Sequence, residues 1–251
     1  MWSAGSERRK AGRSDIYLSD CEVAVVNAEG ALWHVEAEST VTALQALASH
    51  LQEATPKRVR VWLGAALCRA VRITPVSGEV SRRERVRVAE TAAVRSSGLS
   101  PPCRVELDVA GTDGETLAVV VEEAVLTSIE QTLRESGLRA GAIQPWWAYV
   151  LRLTLNARPT LRALAVIEHK ATTILVGEQR RFSSVQVLWP TESADAVSSA
   201  FTRSLISGMI PQDDALGIRL DWTTADEKDA HAFVESDALF GNWARIEGAM
   251  I

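Results

Sequence analysis

Cysteine is scarce and poorly placed: Cys21, Cys68 and Cys103 are odd in number, far apart, and never in a CxxC or CxxH spacing. That excludes a disulfide framework and a zinc site, and a reducing compartment is the simplest fit. Each lies in or beside an apolar run and reads as a small buried side chain. The four histidines, His34, His50, His169 and His231, are isolated, so no metal cluster arises from them either. Glycine motifs for phosphates or nucleophiles are missing: there is no GxGxxG, GxxxxGKS, GxxxxGKT or GxSxG. No stretch approaches the ~20 apolar residues of a membrane helix. Excess positive charge is also lacking. With 27 Lys+Arg against 32 Asp+Glu the net charge is −5, which argues against a nucleic-acid binder needing a basic face for phosphates.

What is present suits a folded chain of 251 residues, 47% of them hydrophobic. Such a chain buries roughly three quarters of its unfolded surface, enough for one large domain or two lobes. Residues 1–14 carry Arg8, Arg9, Lys10 and Arg13 with no apolar run behind them, so they read as a basic tail and not a secretory signal; a cytoplasmic location is expected. Strands are predicted at 16–19, 21–27 and 31–37, with a turn at 28–30. Val41, Leu44, Leu47, Ala48 and Leu51 then share one face of a helix capped by Ser39 or Thr40. Polar–apolar alternation predicts strands at 58–64 and 68–73. The charged run from 79 to 97 predicts a surface helix whose Arg82, Arg83, Arg85 and Arg87 form a solvated face. Strands at 103–110 and 116–123, joined by GTDG at 111–114, lead into a helix with Val125, Ile129 and Leu133, ended by Gly137. Residues 137–145 read as a connection, and 146–157 as a helix apolar nearly all round, hence buried between layers.

The segments 161–170, 171–178 and 180–190 predict three more strands with polar turns at 168–171 and 178–181. A helix containing Ala196, Val197, Ala200, Phe201 and Leu205 follows, with Thr191 or Ser193 as its cap, and then a strand at 216–222. The closing residues suggest short helices at 229–233 and 236–244 that pack Phe233, Phe240 and Trp243 on the body. Three strands, a helix and a strand therefore occur twice, at about 16–63 and about 161–222.

That repeat, together with RVRVWLGAALCRAVRI at 58–73, LAVVVEEAVLTSIEQTLRESGLRAGAIQPWWAYV at 117–150 and LRALAVIEHKATTILVGEQRRFSSVQVLWP at 161–190, resembles the actin-like proteins of bacterial assembly platforms. These are the PilM-like proteins of type IV pili and the cytoplasmic part of GspL-like proteins of type II secretion. Ser136-Gly137-Leu138 and Pro145 stand where that family ends one helix and begins the next. The resemblance implies an α/β, actin-like (ribonuclease-H-like) two-lobed fold with repeated βββαβ units and an inserted small α+β subdomain. The first lobe would cover 15–144 and the second 145–251. It further implies a non-catalytic scaffold working by protein–protein binding. Its partners would be the cytoplasmic tail of an inner-membrane platform protein and an assembly ATPase, which would draw it to the inner face of the cytoplasmic membrane.

Actin-like ATPases cradle phosphates with two hairpin turns in which glycine lets backbone N–H groups approach and an acid organises the metal. By resemblance the first turn falls at Ser19-Asp20-Cys21-Glu22, where Asp20 remains but glycine does not. The second falls at 168–173: Glu168, Thr172 and Thr173 remain, while His169 and Lys170 stand where small residues are needed. Lys170 offers a point charge to a phosphate but its bulk argues for a filled pocket. The adenosine loop is reduced to SGMIP at 207–211, with a single glycine. No cofactor is therefore expected; the alternative is an ATPase or small-molecule kinase binding Mg–ATP through Asp20 and Glu168.

Eight tryptophans stand out, because tryptophan is enriched both in cores and at association hot spots. Trp62, on a short alternating strand, and Trp147 with Tyr149 are the partner-binding candidates, through strand addition or groove docking. The neighbouring acids Asp213-Asp214 and Asp226-Glu227 have no basic or histidine partner nearby in sequence and read as solvated loop carboxylates.

Overall fold

In a β-strand successive side chains point to opposite faces, so one strand can serve two cores. β1 (Arg13–Leu18) does this: Ile16 and Leu18 face one apolar cluster, and Tyr17 faces another. The computed structural model describes residues 13–26, 32–51, 58–74, 81–107, 116–178, 181–189, 194–221 and 233–235. β1 pairs antiparallel with β2 (Glu22–Val26), and β2 with β3 (Leu32–Glu36). The strand begins at Arg13, so the last two residues of the expected tail are part of the sheet.

α1 (Thr40–Leu51) starts where Ser39 and Thr42 cap each other. The Thr42 N–H donates to Ser39 Oγ at 3.3 Å and the Ser39 N–H to Thr42 Oγ1 at 3.0 Å. The helix buries Leu44, Leu47 and Leu51 and returns the chain, so β4 (Arg58–Leu63) lies parallel to β1. β5 (Cys68–Ile73) then leaves this sheet. It joins β7 (Thr116–Glu122) and β6 (Cys103–Leu107) in a three-stranded antiparallel sheet, one face of which is covered by α2 (Arg82–Ser97) through Ala93. This is the inserted α+β unit.

α3 (Glu123–Glu135) packs Leu126, Ile129 and Leu133 beside α1. The next segment corrects the sequence reading: Arg139–Pro145, expected as a connection, is a strand, β8, parallel to β4 at the sheet edge. Its alanines, glycine and proline carry little strand propensity, and pairing with β4 overrides that. The first sheet thus has the order β3-β2-β1-β4-β8.

α4 (Trp146–Ala157) carries the chain across to the second lobe, where β9 (Ala163–Ile167), β10 (Thr172–Glu178) and β11 (Arg181–Leu188) form an antiparallel ladder. α5 (Ala194–Ser207) and a 3-10 turn at Gln212–Asp214 then bring β12 (Ala215–Asp221) parallel to β9. β13 (Phe233–Glu235) adds antiparallel to β12, so Phe233, expected in a short helix, lies in a strand. The second sheet, β11-β10-β9-β12-β13, repeats the first place by place, except that its fifth strand runs the other way. The turns expected at 28–30 and 111–114, the caps Thr191 and Ser193, and the closing aromatics Phe240 and Trp243 lie outside the described residues.

The layers follow from strand parity. Val59, Val61 and Leu63 join Ile16 and Leu18 under α1 and α3, and Ala163, Ala165 and Ile174 face α5. The opposite faces of both sheets meet around α4, where Tyr17 and Trp62 of the first lobe share one cluster with Leu164, Val166, Leu175, Leu216 and Ile218 of the second.

Candidate functional site

Three turns converge at one end of the inter-lobe layer. The β1–β2 turn is closed by the Ser19 N–H donating to Glu22 O at 2.9 Å, and the β9–β10 turn by the Glu168 N–H donating to Ala171 O at 2.8 Å. After β4 the chain turns at Gly64, whose N–H donates to Leu18 O at 2.9 Å. Glu168, although on the second lobe, reaches the first: its Oε2 accepts the Ala65 backbone N–H at 2.6 Å. Glycine is required at 64, because a Cβ there would lie 2.7 Å from the Tyr17 hydroxyl and 3.0 Å from Glu168 Oε2.

Glu168 is buried, and burial pushes its carboxyl up from 4.5 to about 8, against the opposing pull of the Ala65 hydrogen bond. Glu22 and Asp20 push it the same way, and the Tyr17 hydroxyl helps hold the charged form. Tyr17 itself is raised well above its usual value, first by burial and then by Glu168. At the rim, Lys170 Nζ lies 3.8 Å from Asp20 Oδ2, both half-exposed, so the two hairpin turns are bridged by opposite charges. Arg69, on β5, is held below its usual value by burial, and its guanidinium stacks 3.7 Å from the Trp189 ring centroid. That stack ties the inserted unit to the end of β11.

Four of the five nucleotide-site candidates, Asp20, Glu168, Lys170 and Thr173, therefore lie at one end of the inter-lobe layer, but not as a cradle. Asp20 and Lys170 neutralise each other, and Glu168 seats itself on a backbone amide. Thr172 and Thr173 are buried with unpartnered Oγ1 atoms. They do not act together. Thr173 shares the strand face of Leu175, toward the inter-lobe cluster, whereas Thr172 shares that of Ile174, toward α5. SGMIP at 207–211 forms the left-handed end of α5, with the Met209 N–H donating to Ile206 O and the Ile210 N–H to Leu205 O.

The partner-binding candidates are corrected by their burial. Trp62, Trp147 and Tyr149 are 2%, 6% and 3% exposed. Trp62 and Tyr149 pack ring to ring at 4.5 Å, and the Trp62 indole N–H donates to Asp15 Oδ1 at 3.1 Å. Asp15 is in turn held by Arg60 Nε and Nη2, each at 2.6 Å. None of the three is a surface anchor; they fasten α4 to the first sheet. Sequence reasoning missed Tyr17, Gly64, Ala65, Arg69 and Trp189. Only Gly64, closing an alternating strand, carried a local signal, because the Ala65–Glu168 contact joins residues 103 apart.

No protein-family model matches the chain, and no curated protein does. Solved structures do. A Bacteroides thetaiotaomicron protein with actin-like ATPase fold and unknown function aligns over 86% of this chain and 84% of its own, at TM-score 0.57 and 10% identity. The fold is actin-like. The cytoplasmic domain of EpsL, an inner-membrane component of the Vibrio cholerae type II secretion system, aligns over 87% of this chain and 88% of its own, at TM-score 0.55 and 13% identity. The PilM–PilN type IV pilus biogenesis complex aligns over 79% of this chain and 67% of its own, at TM-score 0.52 and 14% identity. The actin-like resemblance of the sequence, with its pilus and secretion members, thus finds the same fold in three dimensions. Among the described residues no helix of this actin-like chain is long and apolar enough to cross a membrane.

Proposed function

We propose that this chain is a non-catalytic actin-like adaptor of a type IV pilus or type II secretion assembly platform. It binds the cytoplasmic segment of an inner-membrane protein, works alongside an assembly ATPase, and holds no nucleotide. The observation that carries the second half is the Glu168 carboxyl seated on the Ala65 N–H, with Lys170 on Asp20 in front of it. The amide and the carboxylate that a Mg–ATP complex would need are already engaged by the chain itself. Among the described residues no three of His, Cys, Asp or Glu converge on a metal position. The residues present do not fit Mg–ATP. The first half rests on likeness of fold to an EpsL domain and to PilM in complex with PilN.

A second reading, a nucleotide-binding ATPase or kinase, draws on the buried Thr173 hydroxyl that faces the inter-lobe layer unpartnered. Melting the protein with and without millimolar Mg–ATP separates the two. Ligand at a hundred times its dissociation constant adds about 2.7 kcal/mol. The adaptor reading expects no shift; an upward shift abolished by Asp20→Ala establishes the nucleotide reading instead. In-cell crosslinking tests the partner, with an inner-membrane protein bearing a cytoplasmic segment as the expected product and only soluble proteins as the result that sinks the adaptor.

A further inference from the structure

Helix α2 is well capped at both ends, yet its first turn carries mostly charge of the unfavourable sign. Its first residues, Arg82-Arg83-Glu84-Arg85, place positive charge at the end of the helix where the macrodipole favours negative charge. The one acid there, Glu84, is committed to the capping box with Ser81, whose hydroxyl donates to it at 2.7 Å. Arg83, Arg87, Thr91 and Arg95 then follow one another at four-residue intervals, so three arginines lie on a single ridge about 18 Å long. Arg83 and Arg87, four residues apart, repel. All three are exposed, and among the described residues none has a carboxylate partner. Val86 and Val88 are also exposed on this helix, while Ala93 is buried against the inserted sheet. In a chain of net charge −5, five arginines against two glutamates on one helix make a local reversal of sign.

Among the described residues no carboxylate offsets the repulsion of Arg83 and Arg87; an anionic surface outside the molecule would offset it and the dipole conflict together. A protein partner would be expected to meet a pocket with an aromatic or other anchor. This face is a convex ridge of arginine and valine with no aromatic on it. A lipid bilayer needs no pocket, and clustered arginines beside exposed apolar groups are what its headgroup layer attracts. We propose that the outer face of α2 docks on an anionic lipid bilayer, with Arg83, Arg87 and Arg95 on the headgroups and Val88 beside them. The proposal takes from the adaptor reading only that a membrane lies within reach.

The test is co-sedimentation of the full chain with vesicles of phosphatidylglycerol and phosphatidylcholine in equal parts, against vesicles of phosphatidylcholine alone, at low and high salt. Each arginine at such a surface contributes about a fivefold factor in partitioning, so Arg83→Gln/Arg87→Gln/Arg95→Gln should lose on the order of 100-fold on anionic vesicles. Binding of the unaltered chain should weaken with salt. The triple variant changes only exposed side chains, and an unchanged melting curve confirms its fold. A control variant, Arg134→Gln/Arg139→Gln/Arg203→Gln, removes the same charge elsewhere and should bind as the unaltered chain does. Equal binding to both vesicle types overturns the proposal, as does retained binding by the α2 variant, or an equal loss in the control. Failure of the adaptor reading shows separately, since crosslinking to a membrane protein's cytoplasmic segment is scored whether or not vesicles are bound.

Discussion

Glu168 is the residue whose setting makes the sharpest statement about solution behaviour. In the unfolded chain its carboxyl titrates near 4.5, whereas in the folded protein burial moves it to about 8. Between those values the folded state holds a proton that the unfolded state has released. Stability from this group is therefore complete below about 4.5, falls as pH rises, and is fully lost above about 8. The slope approaches 1.4 kcal/mol per pH unit where the difference is one whole proton. Glu168→Gln keeps an acceptor for the Ala65 N–H without the ionisation, so denaturant melts of the variant across pH 5 to 8 should lack this slope while the unaltered chain shows it. Gly64 belongs to the same argument. The space its missing Cβ leaves is what lets the Glu168 carboxyl reach the backbone.

Helix ends show where sequence and structure part company at the scale of elements. α2 and α3 are followed by Gly98 and Gly137 in the left-handed region, at φ 69° and 73°, as a glycine stop signal predicts. α5 ends with the hydrogen-bond pattern of α3, but its glycine comes one residue early, and Met209 takes the left-handed position at φ 48°. Gly208 is held for another reason: a Cβ there would meet the Ile210 side chain at 3.0 Å. Met209 is 85% exposed, so its side chain contributes little packing to offset the backbone strain. Met209→Gly should raise stability by about 0.5–1 kcal/mol, read as an upward shift of about 1–4 °C in calorimetry. The alternating strands and most of the α1, α3 and α5 faces were legible in sequence from apolar spacing, but Val41 and Ala196, read on buried faces, are exposed, and Ala43 and Leu126 are buried instead. β8 was not legible, since Arg139–Pro145 becomes a strand only by pairing with β4. The site was half legible: the hairpin acids and the lysine follow from the actin-like resemblance, but the seating of Glu168 on Ala65 joins distant parts of the chain.

Across the whole molecule the two repeated units are not independent lobes joined by a linker, because one apolar cluster draws on both sheets. α4 supplies its middle layer: Trp146 meets Tyr17 edge-on at 5.6 Å and packs against Tyr149 at 5.3 Å, within the same cluster as Leu164 and Val166 of the second lobe. Opening the lobes would expose the inner faces of both sheets at once, at about 25 cal/mol for each Å² of apolar surface. The stack of Arg69 on Trp189 and the seating of Glu168 on Ala65 add two further ties between the lobes. The chain should therefore unfold in one transition, with calorimetric and van't Hoff enthalpies equal. Trp146→Ala empties a whole indole volume in that middle layer, a change that costs about 3–5 kcal/mol in well-packed cores. For a chain of this size that lowers the midpoint by on the order of 10 °C. The transition should stay single, because Tyr149, Val150 and Trp147 still bind α4 to both sheets. Two separated transitions in the unaltered chain would mean that each sheet is stable with its own outer helices. Lobes of that kind would move against each other, whereas the shared cluster favours one rigid body.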